Sequence, residues 1–379
     1  MWRIIPKWIF PPLLIGAVLL DLIVKVFSPI YPLEVKIRIK AVQSYIEQVR
    51  HRVSVEGLER NPQFASFIRR MVEQLKPHGS SSFMVIMAQE GSYPWIENFM
   101  CSISQFDLHP HISIVTVDRY TTISINAKYP MLSVFELNFD ELFSGLPRGH
   151  EKELRARMFD ILRLRIAAIV VKNRMDVLIA SSNQIWTANF FKRSFYPILV
   201  RKLKMTGYDL FIQEGVNDNP SNAIDLMSFF ARGRMDAVGP GILEYIAELL
   251  SYQYTTAESA TMYVCASPKA FECVLLPKQR MTNVDWFRYE RDIVSDIVHV
   301  PMDVPKQKLM QEGLWLLSSD GRCNSSLLPD LKSTLEAQNS PWEGIEIASR
   351  KAVPRRKRPQ LLHPHGYRGL MLESVLSEE

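Results

Sequence analysis

Between Asp176 and Asp209 the chain has no carboxylate, although an apolar run at 177–180 ends inside that stretch on the polar triplet Ser181, Ser182 and Asn183. A buried strand that stops at small polar groups delivers them to the edge of a sheet, where paired acids commonly hold a hard cation. The acids are missing here. Cysteine is scarce as well, four in 379 residues with no C-x-x-C pair, which excludes the usual zinc spacings. Net charge is only +5, and much of it sits near the two ends, so charge gives no argument for nucleic acid as a partner. Gly239-Pro240-Gly241 lacks the spacing and the lysine of a phosphate cradle and reads as a turn. No internal repeat is visible. A hydrophobic content of 47% excludes a mainly disordered chain.

What is present begins with an apolar block at 8–27, WIFPPLLIGAVLLDLIVKVF, about as long as a bilayer span. Arg3 and Lys7 precede it and favour a cytosolic tail at 1–7. Asp21 and Lys25 stand four apart and can pair or snorkel. No small-x-small cleavage site follows, so the block reads as an uncleaved transmembrane signal anchor; a buried core helix is the alternative, which Pro11 and Pro12 suit less well. With the anchor in place, everything beyond residue 30 faces a lumen. Cys101, Cys265, Cys273 and Cys323 can then pair in three ways, with Cys265 and Cys273 able to close a short loop, or remain buried thiols. Asn324-Ser325-Ser326 is an N-glycosylation sequon consistent with that placement.

Residues 28–80 are charged and helix-prone and read as a helical stem ending at PHGSSS. From 81 to 318 the pattern alternates. FMVIMA, HISIVTVD, MLSVFELN, the 177–180 run and YDLFIQEG are strands; YPWIENFMCSISQF and ELRARMFDILRLRIAAIVVKN are helices. In the second half a helix at about 241–252 precedes MYVCAS, ECVLLP and DIVHVP as short strands. This alternation specifies an α/β domain with a mainly parallel, Rossmann-type sheet flanked by helices. Ligands of such sheets lie beyond the carboxyl ends of the strands, which gathers residues 88–91, Asp118, residues 181–183 and residues 214–219 around one crevice. Residues 319–379 are polar and proline-dotted, with the basic RKAVPRRKRP, and read as a disordered tail.

Three stretches, VIMAQEGSYPWIENFMCSISQFDLHPHISIVTVD, RLRIAAIVVKNRMDVLIASSNQIWTANFF and DIVHVPMDVPKQKLMQEGLW, resemble in their order the nucleotide-diphospho-sugar transferases of the GT-A type. The likeness is greatest to the family that includes plant xylosyl- and arabinosyltransferases, and it covers roughly residues 83–317. That family carries an Asp-x-Asp motif at the second stretch; counted back from Trp186, its aspartates fall on Ser181 and Asn183. Its closing segment has a histidine, matched by His299, then a glycine-containing loop that here holds Pro301 and Pro305.

The resemblance implies a type II membrane glycosyltransferase of the Golgi or endoplasmic reticulum, with a nucleotide-sugar donor, a glycan or glycoprotein acceptor and no nucleic acid. Charge building on a leaving diphosphate must be met by preorganised positive charge. Asn183 and His299 are the expected ligands of a weakly held Mn2+ or Mg2+, since neutral oxygens bind hard cations poorly; fixed cations are the metal-independent route. Arg163 stands at the family's basic helix position, with Lys306 and Lys308 after His299, although a solvated helix face explains Arg163 and Arg165 equally well. Ala88, Asp118 and Ser181 complete the expected donor site. Asn183, Glu214 and Asp218 are the expected catalytic groups, the two acids as acceptor bases or substitute ligands. The competing reading is a catalytically silent lumenal scaffold on the same frame.

Overall fold

The computed structural model describes residues 33–75, 82–106, 108–144, 151–191, 209–214, 224–233, 239–253, 255–265, 272–276, 278, 280–283, 286–289 and 295–324. The expected anchor at 8–27 and the tail beyond 324 lie outside them. No described helix is long and apolar enough to cross a membrane.

Seven strands form the central sheet: β1 (Ser82–Ala88), β2 (Ile112–Thr116), β3 (Ser133–Glu136), β4 (Asp176–Ser181), β6 (Asp209–Glu214), β7 (Ile224–Ala231) and β8 (Glu272–Leu276), in the order β3-β2-β1-β4-β7-β6-β8. β7 runs antiparallel to both neighbours and the other pairings are parallel. A two-stranded ribbon pairs β5 (Gln184–Trp186) with β9 (Ile297–His299), antiparallel, directly beyond the end of β4. The mainly parallel α/β sheet expected from the alternation is therefore present. The chain runs from β1 to β2 on one side and reaches β4 on the other, so the switch point of the sheet lies between the carboxyl ends of β1 and β4.

Three local readings need correction. Met262, Tyr263, Val264 and Cys265, read as strand, close a helix, Ala257–Cys265, which the small residues Ala257, Ser259 and Ala260 before them favour. Conversely IDLMSFFA, not among the strands read from the sequence, is strand β7. Gly239 to Gly241 opens a helix, Gly239–Tyr252, instead of standing as a turn.

The helices α1 (Leu33–Val53), α2 (Val55–Arg60) and α3 (Pro62–Leu75) are not a spacer. Val42, Ile46, Val53, Leu58, Phe64, Phe67 and Met71 bury themselves in the same apolar cluster as β-strand residues Phe83, Val85, Val177 and Ile179. Burying a large apolar side chain is worth about 1.5–3 kcal/mol, so these helices belong to the domain. Helix α7 (Glu151–Lys172) lies in the same layer and is buried on all sides from Ile161 to Val171, which is why its apolar residues exceed one stripe there. Arg165 crosses that layer, donating to the Val53 carbonyl (3.0 Å) and to Glu248 (2.6 Å), which also takes Arg50 (2.7 Å).

The opposite face of the sheet is covered by α4 (Tyr93–Ile103), whose Ile96, Phe99 and Ile103 meet Met84, Ile86 and Trp186. A third cluster joins the outer side of α4 to the chain end: Trp95 meets Trp315 edge to face at 5.2 Å, and the Asn98 amide bonds both the Leu314 carbonyl (3.0 Å) and the Leu316 N–H (2.6 Å). A disulfide from Cys101 to Cys323 fastens this closing segment, and Cys265 pairs with Cys273.

Candidate functional site at the end of β4

Where β4 ends, the polar triplet turns inward. Ser181 Oγ donates to Asn183 Oδ1, and Asn183 Nδ2 donates to the Val300 carbonyl at 2.7 Å. The Asn183 carbonyl in turn accepts from the Val300 N–H at 2.9 Å. Asn183 is 1% exposed. Its side chain therefore ties β4 to the exit of β9 and leaves little to offer a ligand.

His299 lies beneath this knot with no exposed surface. Trp186 Nε1, which can only donate, bonds Gln184 Oε1 at 3.3 Å and so fixes the Gln184 amide. Gln184 Nε2 then faces His299 Nε2 at 2.7 Å, and Ser228 Oγ lies 3.0 Å from the same nitrogen. Nε2 accepts, and the ring proton sits on Nδ1, donated to the Thr282 carbonyl. The Gln213 amide lies 3.3 Å from Nδ1. Burial pulls the His299 pKa from 6.5 down to about 4, outweighing the Thr282 bond that opposes the shift. The imidazole is a neutral hub joining β5, β6, β7 and the Thr282 loop.

An irregularity in the sheet sets up both sides of this hub. Ile212 pairs with Phe229 but Gln213 pairs with Asp225, so Leu226, Met227 and Ser228 bulge out of the β6 ladder. The bulge turns Ser228 Oγ toward His299 and also accepts the Ser181 N–H at 3.2 Å. On the helical side it frees the Leu226 and Met227 carbonyls, which Arg163 Nη1 takes at 2.8 and 3.4 Å, while Arg163 Nη2 pairs with Asp160.

These placements correct much of the expected site. Ser181, Asn183 and His299 are brought together, yet they do not fit a hard divalent cation. The two oxygens carry no charge, Asn183 Oδ1 already accepts from Ser181, and both His299 nitrogens are engaged. Among the described residues no group of three or more His, Cys, Asp or Glu is placed to hold a metal. Arg163 and Arg165, 8% and 1% exposed, are neither diphosphate contacts nor a solvated face; both pin backbone. Lys306 lies over the Trp315 ring (4.8 Å) and Lys308 over Phe287 (5.6 Å), both exposed on α11 (Lys306–Gln311), attached to the closing segment and not to the β4 knot. Ala88 ends β1 with its side chain in the core. Glu214 ends β6, but its side chain and the whole of Asp218 lie outside the described residues. Arg163→Ala is expected to lower stability by about 1–3 kcal/mol, because buried carbonyls lose their donor; an unchanged urea midpoint would show that the bulge holds without it.

Asp118 keeps a place of its own. It caps α5 (Arg119–Lys128) through Oδ1, which accepts the Thr121 N–H at 2.8 Å. Its Oδ2, Thr121 Oγ1 and Ser92 Oγ are shielded from solvent without a hydrogen-bond partner. Ser92 precedes α4 beyond the end of β1, at the switch point, and Asp118 and Thr121 sit at the start of α5 beyond the end of the neighbouring strand β2. Ser92 and Thr121 were missed in the sequence, although each occupies a helix-start position readable from Ser92-Tyr93-Pro94 and from Asp118 three residues before Thr121. Gln184, Gln213, Ser228 and Thr282 were also missed; for Gln213 and Ser228 a polar residue inside an apolar strand is the only local signal.

No family model matches the chain, and no curated protein matches it in sequence. Among solved structures it is similar to the glycosyltransferase GlyE of Streptococcus pneumoniae TIGR4, at 12% identity and a TM-score of 0.39, over 70% of this chain and 66% of that one, just under two thirds of its length. The galactosyltransferase LgtC in complex with donor and acceptor sugar analogs aligns at 8% identity and a TM-score of 0.37, over 70% of this chain and 99% of that one. The mannosyltransferase PcManGT of Pyrobaculum calidifontis, in complex with GDP-Man and Mn2+, aligns at 12% identity and a TM-score of 0.32, over 78% of this chain and 85% of that one.

Proposed function

We propose that the chain is a glycosyltransferase of the GT-A layout, held as a single-pass type II protein in the Golgi or endoplasmic reticulum membrane, that moves a sugar from a nucleotide-diphosphate donor to a glycan or glycoprotein acceptor. The observation that carries this reading is the set of unpartnered polar atoms on Ser92, Asp118 and Thr121, at the two helix starts beyond the carboxyl ends of the adjacent parallel strands β1 and β2. Eleven buried side-chain polar atoms of the described residues lack a partner, and these three suit a ligand rich in hydroxyls and ring nitrogens because they stand beyond strand carboxyl ends. The two disulfides support an oxidising compartment, and the order of the three stretches around β1, β4 and β9 supports the transferase frame. In this reading Asp118, Thr121 and Ser92 bind the nucleoside end, and Ser181 borders the path of the diphosphate. The leaving group's charge is met by cations other than Arg163.

One observation favours the second reading, a catalytically silent lumenal binding or scaffold protein without a nucleotide site: the knot of Ser181, Asn183 and His299 is closed upon itself. The two separate in a thermal-shift panel of uridine and guanosine diphosphates, with and without Mn2+. Stabilisation by a diphosphate without metal, lost in Asp118→Ala, is expected. A response only with Mn2+ would overturn the account of the β4 knot, and no response to any nucleotide would reject the transferase. In the same panel Asn183→Asp should remain metal-blind and lose about 1–3 kcal/mol of stability, since a carboxylate cannot donate to Val300.

A further inference from the structure

The end of the described chain carries a feature that sugar transfer does not use. Residues 316–324 form a small hairpin: Leu317 bridges Cys323, the Ser318 N–H donates to the Arg322 carbonyl at 2.9 Å, and Gly321 turns the chain at a φ of +75° that suits glycine. On the outgoing arm Cys323 is bonded to Cys101 on α4, and the N–H of the next residue, Asn324, donates to the Leu316 carbonyl at 2.7 Å. Asn324 is exposed and heads the chain's single Asn-x-Ser/Thr sequon free of proline; Asn219-Pro220-Ser221 is excluded by its proline.

We infer that Asn324 is an N-glycosylation site whose modification competes with closure of the Cys101–Cys323 hairpin. The inference rests on the lumenal placement proposed above. In the transfer, Asn324 Nδ2 forms a bond to the anomeric carbon of an oligosaccharide carried on a polyprenyl diphosphate. The bond from that carbon to the diphosphate oxygen breaks, the polyprenyl diphosphate departs with the electron pair, and one amide proton passes to a base on the transferring enzyme. That enzyme must lift the acceptor backbone away from its own protein. Once the hairpin has closed, the Asn324 N–H is held by Leu316 and the preceding residue is covalently anchored, so the segment cannot be lifted. The interval open to modification lasts until the disulfide closes, and disulfides form over seconds to hours.

The test is translation of the full chain with microsomes, followed by protease protection and peptide-N-glycosidase treatment. The expected result is a protease-protected chain that loses one mobility step with the glycosidase, a step absent from Asn324→Gln. A protected chain with no step, or with a step that persists in Asn324→Gln, overturns the site while leaving the lumenal reading intact. A chain digested by the protease overturns both together. For the competition, Cys101→Ser, or dithiothreitol present during translation of the unaltered chain, is expected to raise the modified fraction. An unchanged fraction in both, saturated or not, overturns the competition; the reductant arm keeps this decisive even where the variant folds poorly.

Discussion

Lowering the pH from 6.5 to 4 is expected to remove about 3 kcal/mol of folding stability through His299 alone. Above pH 6.5 the imidazole is neutral in both the folded and the unfolded chain, and its contribution to stability is fully present. Between the two pKa values the unfolded chain binds a proton that the folded chain refuses, because the buried ring has a carbonyl on Nδ1 and a donor on Nε2. Unfolding therefore takes up protons, and stability rises with pH across that window. Below about pH 4 the folded ring protonates too and the loss levels off. The measurement is a series of urea midpoints from pH 7 to 4 on the native chain and on His299→Gln. Carboxylates titrate in both, so the difference isolates the histidine. His299→Gln should flatten the upper part of the curve and start from a lower midpoint at pH 7. Ring 15N shifts showing a charged imidazole at pH 5.5 would refute the hub.

Breaking the Cys101–Cys323 bond is expected to have the other large effect. The bond closes a loop of 222 residues. In the chain-entropy picture a cross-link over a loop this long stabilises by about 5 kcal/mol, with about 2–5 kcal/mol typical of natural disulfides. Cys323→Ser should fall in that range. The loss acts through the unfolded chain and so lowers the stability of the whole domain; in the folded state the closing segment, where Leu314 and Leu316 are held to α4 by the Asn98 amide as well as by sulfur, should open first. Hydrogen exchange would show the amides of residues 314–316 opening before those of β1 and β4. A Cys323→Ser chain whose 314–316 amides stay as protected as those of β1 and β4 would show that the segment does not depend on sulfur for its local order. Cys265→Ser, which opens a loop of only 8 residues, should cost less.

How much of this was legible beforehand follows from what each signal depends on. Strands β1, β2 and β4 announce themselves as short apolar runs with β-branched residues, and α4 by Trp95, Phe99 and Ile103 at helical spacing. Local periodicity suffices there. Strand β7 was invisible because IDLMSFFA mixes an acid and a serine into an apolar run; their positions make sense only once the bulge against Gln213 is known. Helices α1 to α3 looked like a stem because their charges are conspicuous along the chain, whereas burial of Phe64, Phe67 and Met71 depends on a sheet face made far away in sequence.

By itself the sequence determined an alternating α/β chain and a β4 terminus stripped of acids, because those properties are carried by neighbouring residues. The tertiary structure alone decided what Ser181, Asn183, Arg163 and His299 do. A serine, an amide, a guanidinium or an imidazole can face a ligand or complete the protein's own backbone. The choice rests on which buried donors and acceptors elsewhere need partners, here Val300, Leu226, Thr282 and Gln184, and no local spacing encodes that.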